Sequence, residues 1–393
     1  MKVITRTIWL LSLVSLFTDI SSEMLYPIMP VYLQSIHFSV VWIGVLEGFA
    51  EGVAGLSKGY FGAWSDKMGQ RLPFVRFGYF LSAIAKPMLV LFTLPAWVFT
   101  ARSMDRLGKG IRTGARDALL SAESTPETKG QVFGFHRGMD TLGAVLGPVL
   151  SLVILYFFPA NYKLLFIVAF VPAITSVFFT FGVIEKPTSQ GALKARPGFK
   201  QFFAFWANSS TGYRKLVGGL LLFALVNSSD MFLLLKVKES GLSDRMVVGV
   251  YVFYNLVYAI SSHPLGKLGD KLGFKNVFVA GLVLFAIAYG GMTFSNSIIG
   301  YALIFIVYGM YAAATEGISK AWISNLVSRE ETATAIGTYT GFQSICTLVA
   351  SSVAGILWYG YGNSALFGFT AVVTLCLAIY FYLFVIPAKT TGK

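Results

Sequence analysis

Twelve stretches of about 20 mostly apolar residues run through this chain, and no other feature narrows its fold as much. Wound as helix, such a stretch matches the hydrocarbon thickness of a bilayer, and in lipid a helix bonds all its backbone groups internally. The stretches lie at roughly 8–34, 40–62, 72–94, 96–117, 131–156, 163–184, 214–238, 245–265, 276–294, 297–320, 333–358 and 364–386. Hydrophobic residues make up 55% of the chain and charged ones only 12%, with a mean hydropathy of +0.69. That composition excludes a water-soluble globular domain. An all-α integral membrane protein of twelve transmembrane helices is the expectation.

The net charge of +13 would point to nucleic acid in a soluble chain, so the side on which each cation falls decides its meaning. With the N-terminus inside, about 21 of the Lys and Arg residues fall in cytoplasmic loops and tails and only about 4 outside. The excess is a positive-inside signature, with both termini cytoplasmic and no nucleic-acid partner. The first apolar run continues past Asp19 and Glu23 to Pro30 with no small-residue cleavage site, so it is retained as a helix rather than removed as a signal peptide. Cys346 and Cys376 fall inside apolar runs, which argues against a disulfide framework. With three histidines and two cysteines in the whole chain, a soft-metal site is not expected.

The chain repeats itself. Ser21, Ser22, Glu23 and Met24 reappear in kind as Ser228, Ser229, Asp230 and Met231, and the same offset carries Gly110 onto Gly317, Gly130 onto Gly337 and Gly134 onto Gly341. A slightly shorter offset carries Gly62, Asp66, Lys67 and Gly69 onto Gly266, Asp270, Lys271 and Gly273. Two pseudo-symmetric six-helix bundles follow, over 1–184 and 214–393, in the same orientation and related by an axis along the membrane normal. Between them, 185–213 carries Lys186, Pro187, Lys194, Arg196, Pro197 and Lys200 with Phe199, Phe202, Phe203 and Trp206. It reads as a cytoplasmic linker with an amphipathic stretch on the inner leaflet.

These motifs resemble those of the major facilitator superfamily, over essentially the whole chain. The run GAWSDKMGQR from Gly62 to Arg71 is similar to that family's loop signature between helices 2 and 3. Gly143, Gly147 and Pro148 in helix 5 resemble the signature of its bacterial drug:proton antiporter branch, and one departure is Gly114 with Ala115 where a proline is expected before Arg116. The resemblance implies that helices 1, 4, 7 and 10 line a central cavity, and that Asp66 caps helix 11 and locks the cytoplasmic side. Arg71, Arg112 or Arg116 would complete that charge network, and Gly62, Gly69, Gly143, Gly147, Pro148 and Asp270 join them as candidate gating positions. An ordinary tight turn is the alternative for the loop.

Ionisable groups at bilayer depth are costly, so each is a functional hypothesis. Asp19 and Glu23 are one turn apart in helix 1, Glu47 and Glu51 in helix 2, and Arg102, Arg106 and Lys109 in helix 4, so each set shares a helix face. His136, Arg137 and Asp140 add a group in helix 5. These ten residues are the candidates for proton coupling, with Asp19 and Glu23 expected opposite Arg102 and Arg106. Static pairs that clip helices together remain the alternative for most; for Glu23 coupling is favoured, because Pro27 and Pro30 disrupt its helix and Asp230 repeats it. The second half offers an aromatic wall of Tyr251, Tyr254, Tyr258, Tyr308 and Tyr311 with Asn227, Asp230, Asn255 and Glu316. Together with Glu23, Tyr26 and Arg106 this forms the candidate substrate site, the alternative being packing or lipid-facing aromatics.

No nucleotide loop, metal cluster or nucleophile motif supports an enzyme. The expectation is a proton-coupled secondary transporter, without cofactor and driven by the proton gradient, acting as a monomer in a bacterial inner membrane. Export of a small organic substrate by antiport is favoured, with proton-symporting import of a nutrient or metal-chelating metabolite as the alternative and a non-transporting receptor behind both.

Overall fold

The computed structural model describes residues 3–26, 28–38, 40–159, 161–185, 199–242 and 244–385. Among these the secondary structure is helical throughout. The helices are α1 (Arg6–Leu25), α2 (Met29–Ser35), α3 (Val40–Met68), α4 (Leu72–Leu91), α5 (Pro95–Ala122), α6 (Lys129–Phe157) and α7 (Tyr162–Phe181). After α8 (Phe199–Asn208) come α9 (Thr211–Ala224), α10 (Met231–Glu239), α11 (Asp244–Leu272), α12 (Phe274–Phe294), α13 (Ile298–Asn325), α14 (Thr332–Tyr361) and α15 (Asn363–Phe384). Residues 186–198, which hold most of the linker cations, lie outside the described residues, as do the side chains of Phe199, Phe202 and Phe203.

Each apolar run becomes helix, but two are broken. The run 8–34 is divided into α1 and α2, where Pro30 removes a backbone donor that a continuous helix needs. The run 214–238 is divided into α9 and α10 without any proline. There the Ser229 N–H donates to Ser351 Oγ at 3.1 Å and its own hydroxyl accepts from Met231 N–H at 3.3 Å, so side chains satisfy backbone that has left the helix. Asp230 therefore sits at a helix break, whereas its repeat partner Glu23 sits within α1. α5 runs unbroken through Gly114 and Ala115.

Eight of the helices are long and apolar enough to cross a membrane by length and composition. α5 is not among them because Arg102, Asp105, Arg106, Lys109, Arg112 and Arg116 fall within it. Outward faces are apolar instead, as with Leu150, Val153 and Phe157 on α6 or Ile356 and Tyr359 on α14.

The described residues form two compact units: those within 1–123, 139–208 and 328–341, and those within 124–138, 209–327 and 342–393. In the first, α1 packs on α7, α4 on α5 and α7, and α3 on α5. The second repeats this order, with α9 on α15, α12 on α13 and α15, and α11 on α13. The first turns of α14 belong to the first unit, against α3, and the first turns of α6 to the second, against α11. Both contacts need glycine. A Cβ on Gly62 would strike the Ala333 carbonyl, and one on Gly266 the Gly130 carbonyl, so at both crossings backbone rests on backbone. The repeated turns end alike, with Gly69 at φ +66° and Gly273 at φ +87°, the left-handed region that favours glycine.

Candidate functional site

In the first unit, one face of α5 carries Arg102, Asp105, Lys109, Arg112 and Arg116 at alternating steps of three and four residues, so the stripe continues along the helix. Asp105 binds Lys86 of α4 at 2.7 Å, and Arg102 stands 3.9 Å from its other oxygen, all three side chains being largely buried. Arg112 lies over the Tyr79 ring, 4.5 Å from its centre, and donates to Ser82 Oγ at 2.6 Å. Arg116 pairs with Asp117 at 2.9 Å and donates to Ser15 Oγ at 3.1 Å, while Ser15 and the Tyr79 hydroxyl share a 3.3 Å hydrogen bond. Arg112 and Arg116 are thus anchored on α1 and α4.

Facing that stripe, α1 and α6 approach closely at two glycines. A Cβ on Gly143 would stand 2.8 Å from the Asp19 Cβ, and one on Gly147 would stand 2.9 Å from the Glu23 Cβ. The small residues of α6 therefore make room for the two acids of α1, and Pro148 lies inside the same helix. Asp19 has Asp140, Glu23 and Lys109 as its charged neighbours. Asp140 and His136 are buried, Lys109 is exposed and Arg106 is half-buried. The side chains of Glu47 and Glu51 lie outside the described residues.

The second unit gathers tyrosines around one carboxylate. Asp230 accepts from the Tyr308 hydroxyl at 2.6 Å and from the Tyr254 hydroxyl at 2.9 Å. The rings of Tyr254, Tyr289 and Tyr311 each lie within 6.3 Å of Tyr308, and Asn227 donates to the Tyr311 hydroxyl at 2.9 Å. Arg137 pairs with Glu316 at 2.9 Å, donates to the Tyr258 hydroxyl and lies over that ring, with both members of the ion pair about a third exposed. Tyr251 packs edge-on against Tyr254, whereas the Asn255 amide turns back to the Tyr251 carbonyl of its own helix. Tyr26, just past the end of α1, is exposed.

Two further carboxylates lie past the ends of the apolar runs and bind helix starts. Asp66 accepts from the Thr334 N–H at 2.7 Å and its hydroxyl at 2.9 Å, and pairs with Arg71 at 3.1 Å. Arg71 also donates to the Arg329 carbonyl. Asp270 accepts from the N–H groups of Gly130 and Gln131, both at 2.7 Å, in the first turn of α6. Burial pushes Asp66 up to about 6, with Arg71 and Thr334 opposing it. Burial likewise raises Asp270 to about 6, against the two N–H donors.

Some participants carry no sequence signal. Glu185 accepts from the N–H groups of Arg71 and Leu72 at 2.9 Å, capping α4 from far along the chain. Tyr79, Ser82 and Ser15 join the stripe only because α1, α4 and α5 meet. Tyr289 joins the Asp230 cluster from α12. It was detectable as one more tyrosine in an apolar run and nothing else.

A family model described as Major Facilitator Superfamily matches residues 11–253 and 237–393. An uncharacterized MFS-type transporter of Methanocaldococcus jannaschii is 33% identical, covering 90% of this chain and 89% of its own. The Multidrug resistance protein MdtG of Dickeya zeae is 22% identical over 96% of this chain and 94% of its own. The Multi-drug resistance efflux pump PmrA homolog of Lactococcus lactis is 22% identical over 87% of each. Among solved structures, the human organic anion transporter MFSD10 (TETRAN) superposes with a TM-score of 0.80 at 17% identity, covering 96% of this chain and 99% of that one.

Proposed function

Because the chain belongs to the major facilitator superfamily, whose members are multi-pass membrane transporters of small molecules and not enzymes, we propose that it is a proton-coupled antiporter. It exports a small amphiphilic or drug-like organic molecule by alternating access. It needs no cofactor, draws on the proton gradient, and works as a monomer in the cytoplasmic membrane with both termini inside, as its positive-inside pattern supports.

The observation that carries this reading is a division of chemistry. The first unit holds the acids Asp19, Glu23 and Asp140 against a basic helix face; the second holds Asp230 inside a cluster of tyrosines. Acids among fixed cations, in surroundings that wet and dry, are suited to taking up and releasing a proton. A carboxylate ringed by aromatic faces suits an amphiphilic molecule, whose apolar part the rings cover and whose polar end the carboxylate or the Arg137–Glu316 pair meets. Likeness to two proteins named for multidrug resistance supports export over import. Asp66 and Asp270, each on a helix start, act as matched latches on the cytoplasmic side.

Transport in oriented membrane vesicles tests the proposal. Inverted vesicles with an acidic lumen should accumulate a permanently charged lipophilic fluorescent cation beyond the level in vesicles without the protein, and collapsing the gradient should release it. Accumulation that ignores the gradient sinks proton coupling. Uptake only into right-side-out vesicles, with the proton moving the same way, makes the protein an importer.

A further inference from the structure

From the ion pair between α6 and α13 we infer that Arg137 fills a seat made for the substrate's charge: the Tyr258 ring and the Glu316 carboxylate bind the cationic end of an organic molecule, and the chain's own guanidinium holds that seat when the molecule is absent. For the seat's part in transport, this deepens the transporter reading and rests on it. Arg137 lies over the Tyr258 ring, 5.4 Å from its centre, donates to its hydroxyl and pairs with Glu316 at 2.9 Å. A ring face, a phenol oxygen and a carboxylate each attract a cation. Together they suit a protonated amine, an amidine or a quaternary ammonium as well as they suit a guanidinium.

The pair is placed for exchange rather than for clipping helices together. Lys86 and Asp105, which clip α4 to α5, are largely buried, whereas Arg137 and Glu316 are both partly exposed. Along α13 from Tyr311 to Ser324 every residue is buried except Glu316 and Lys320, one turn apart, so these two border a narrow opening. Charges within a membrane helix open to water rather than to hydrocarbon. Tyr258 is buried and fixed, while Arg137 ends a long stem that can turn aside. An incoming cation then takes over both the ring and Glu316, so the carboxylate does not stand unpaired. The rings continue from the seat: Tyr254 stacks on Tyr258 with centres 6.3 Å apart and donates to Asp230 at 2.9 Å. An apolar body carrying the charge therefore meets ring faces and a second carboxylate. Lys320 favours the opposite assignment, an anion held between it and Arg137, and that is the competing outcome.

Equilibrium dialysis of the full-length protein in lipid nanodiscs, against empty nanodiscs and with no gradient, tests this with benzylguanidinium as the cation and phenylacetate as an anion of similar size. A tethered guanidinium that fills the seat about nine-tenths of the time lowers a ligand's apparent affinity about tenfold. Arg137→Ala should therefore bind benzylguanidinium about tenfold more tightly than the wild type, and Glu316→Gln about tenfold more weakly. Phenylacetate should not tighten in Arg137→Ala. If that variant folds poorly by size exclusion, Arg137→Gln removes the charge while keeping much of the stem and should move benzylguanidinium binding in the same direction. The inference is overturned if removing the Arg137 charge leaves benzylguanidinium binding unchanged or weaker, or if Glu316→Gln binds it as well as the wild type does. It is overturned equally if phenylacetate is the tighter ligand of the wild type and is lost with Arg137. Binding that passes these tests in a protein whose transport ignores a pH gradient refutes the antiport and leaves the seat standing. Gradient-driven transport in a protein that fails them refutes the seat alone.

Discussion

The tightest test of the packing is a methyl group placed on Gly62. Its Cβ would meet the Ala333 carbonyl oxygen below contact distance, the Ala333 carbonyl carbon at 3.1 Å and the Gly337 Cα at 3.6 Å. All three are backbone, so no side chain can rotate aside and α3 and α14 have to part. Overpacking of this kind costs about 1–3 kcal/mol. Asp66 lies one turn from Gly62, so separation also lengthens its 2.7 Å bond to the Thr334 N–H. At 1.4 kcal/mol per tenfold, the amides of 328–341 should exchange roughly 5- to 150-fold faster in Gly62→Ala, read by hydrogen–deuterium exchange of the purified protein. Gly52, in the same helix, is the internal control, since a Cβ there meets nothing within 4 Å. Gly52→Ala should stabilise the helix by about 0.5–1 kcal/mol. If the two substitutions behave alike, or Gly62→Ala leaves 328–341 as protected as wild type, the backbone-on-backbone contact does not hold α14 to α3.

Further expectations concern charge. Asp66 has its folded-state pKa raised from an ordinary 3.8 to about 6, so its contribution is fully present below 3.8 and is lost as pH rises through about 6. Between pH 7 and pH 5 the buried arrangement around Asp66 should therefore gain about 1.4 kcal/mol, because relief of the desolvation cost outweighs the weakening of its bonds to Arg71 and Thr334. Opening read by Thr334 exchange should slow about tenfold after correction for the intrinsic rate; faster exchange at pH 5 refutes the sign. Asp105→Ala strands buried Lys86 and Arg102 and should cost about 3–5 kcal/mol in denaturant melts, much of it recovered by adding Lys86→Met. Arg137→Gln, by contrast, breaks a pair whose side chains are 31% and 40% exposed, so it should change stability by no more than about 1 kcal/mol while impairing transport. A large loss of stability would make Arg137 a structural clip rather than a working residue.

Apolar runs of membrane-spanning length, their duplication, and the repeated glycines at positions 69 and 273 are local properties of the chain, and each was legible before any tertiary contact. Bilayer thickness sets the length of a run, backbone sterics set where only glycine turns the chain, and sequence likeness between halves carries over into the same order of helix neighbours. Helical spacing likewise showed that Asp19 shares a face with Glu23 and Arg102 with Arg106. Spacing fixes a face but not its direction, and so partners were left to packing. Asp105 takes Lys86 and Arg102; Arg112 and Arg116 settle on Tyr79, Ser82, Ser15 and Asp117; Asp19 has Asp140 as a charged neighbour. The break at Asn227 to Asp230 had no proline to announce it, because its backbone is satisfied by Ser351 from a distant helix. Glu185 caps α4 only because α7 returns beside it. What the tertiary structure decided, in each instance, is the rotation and depth of one helix against another, and a few tenths of an ångström at Gly143 or Gly62 choose which charges come within hydrogen-bonding reach.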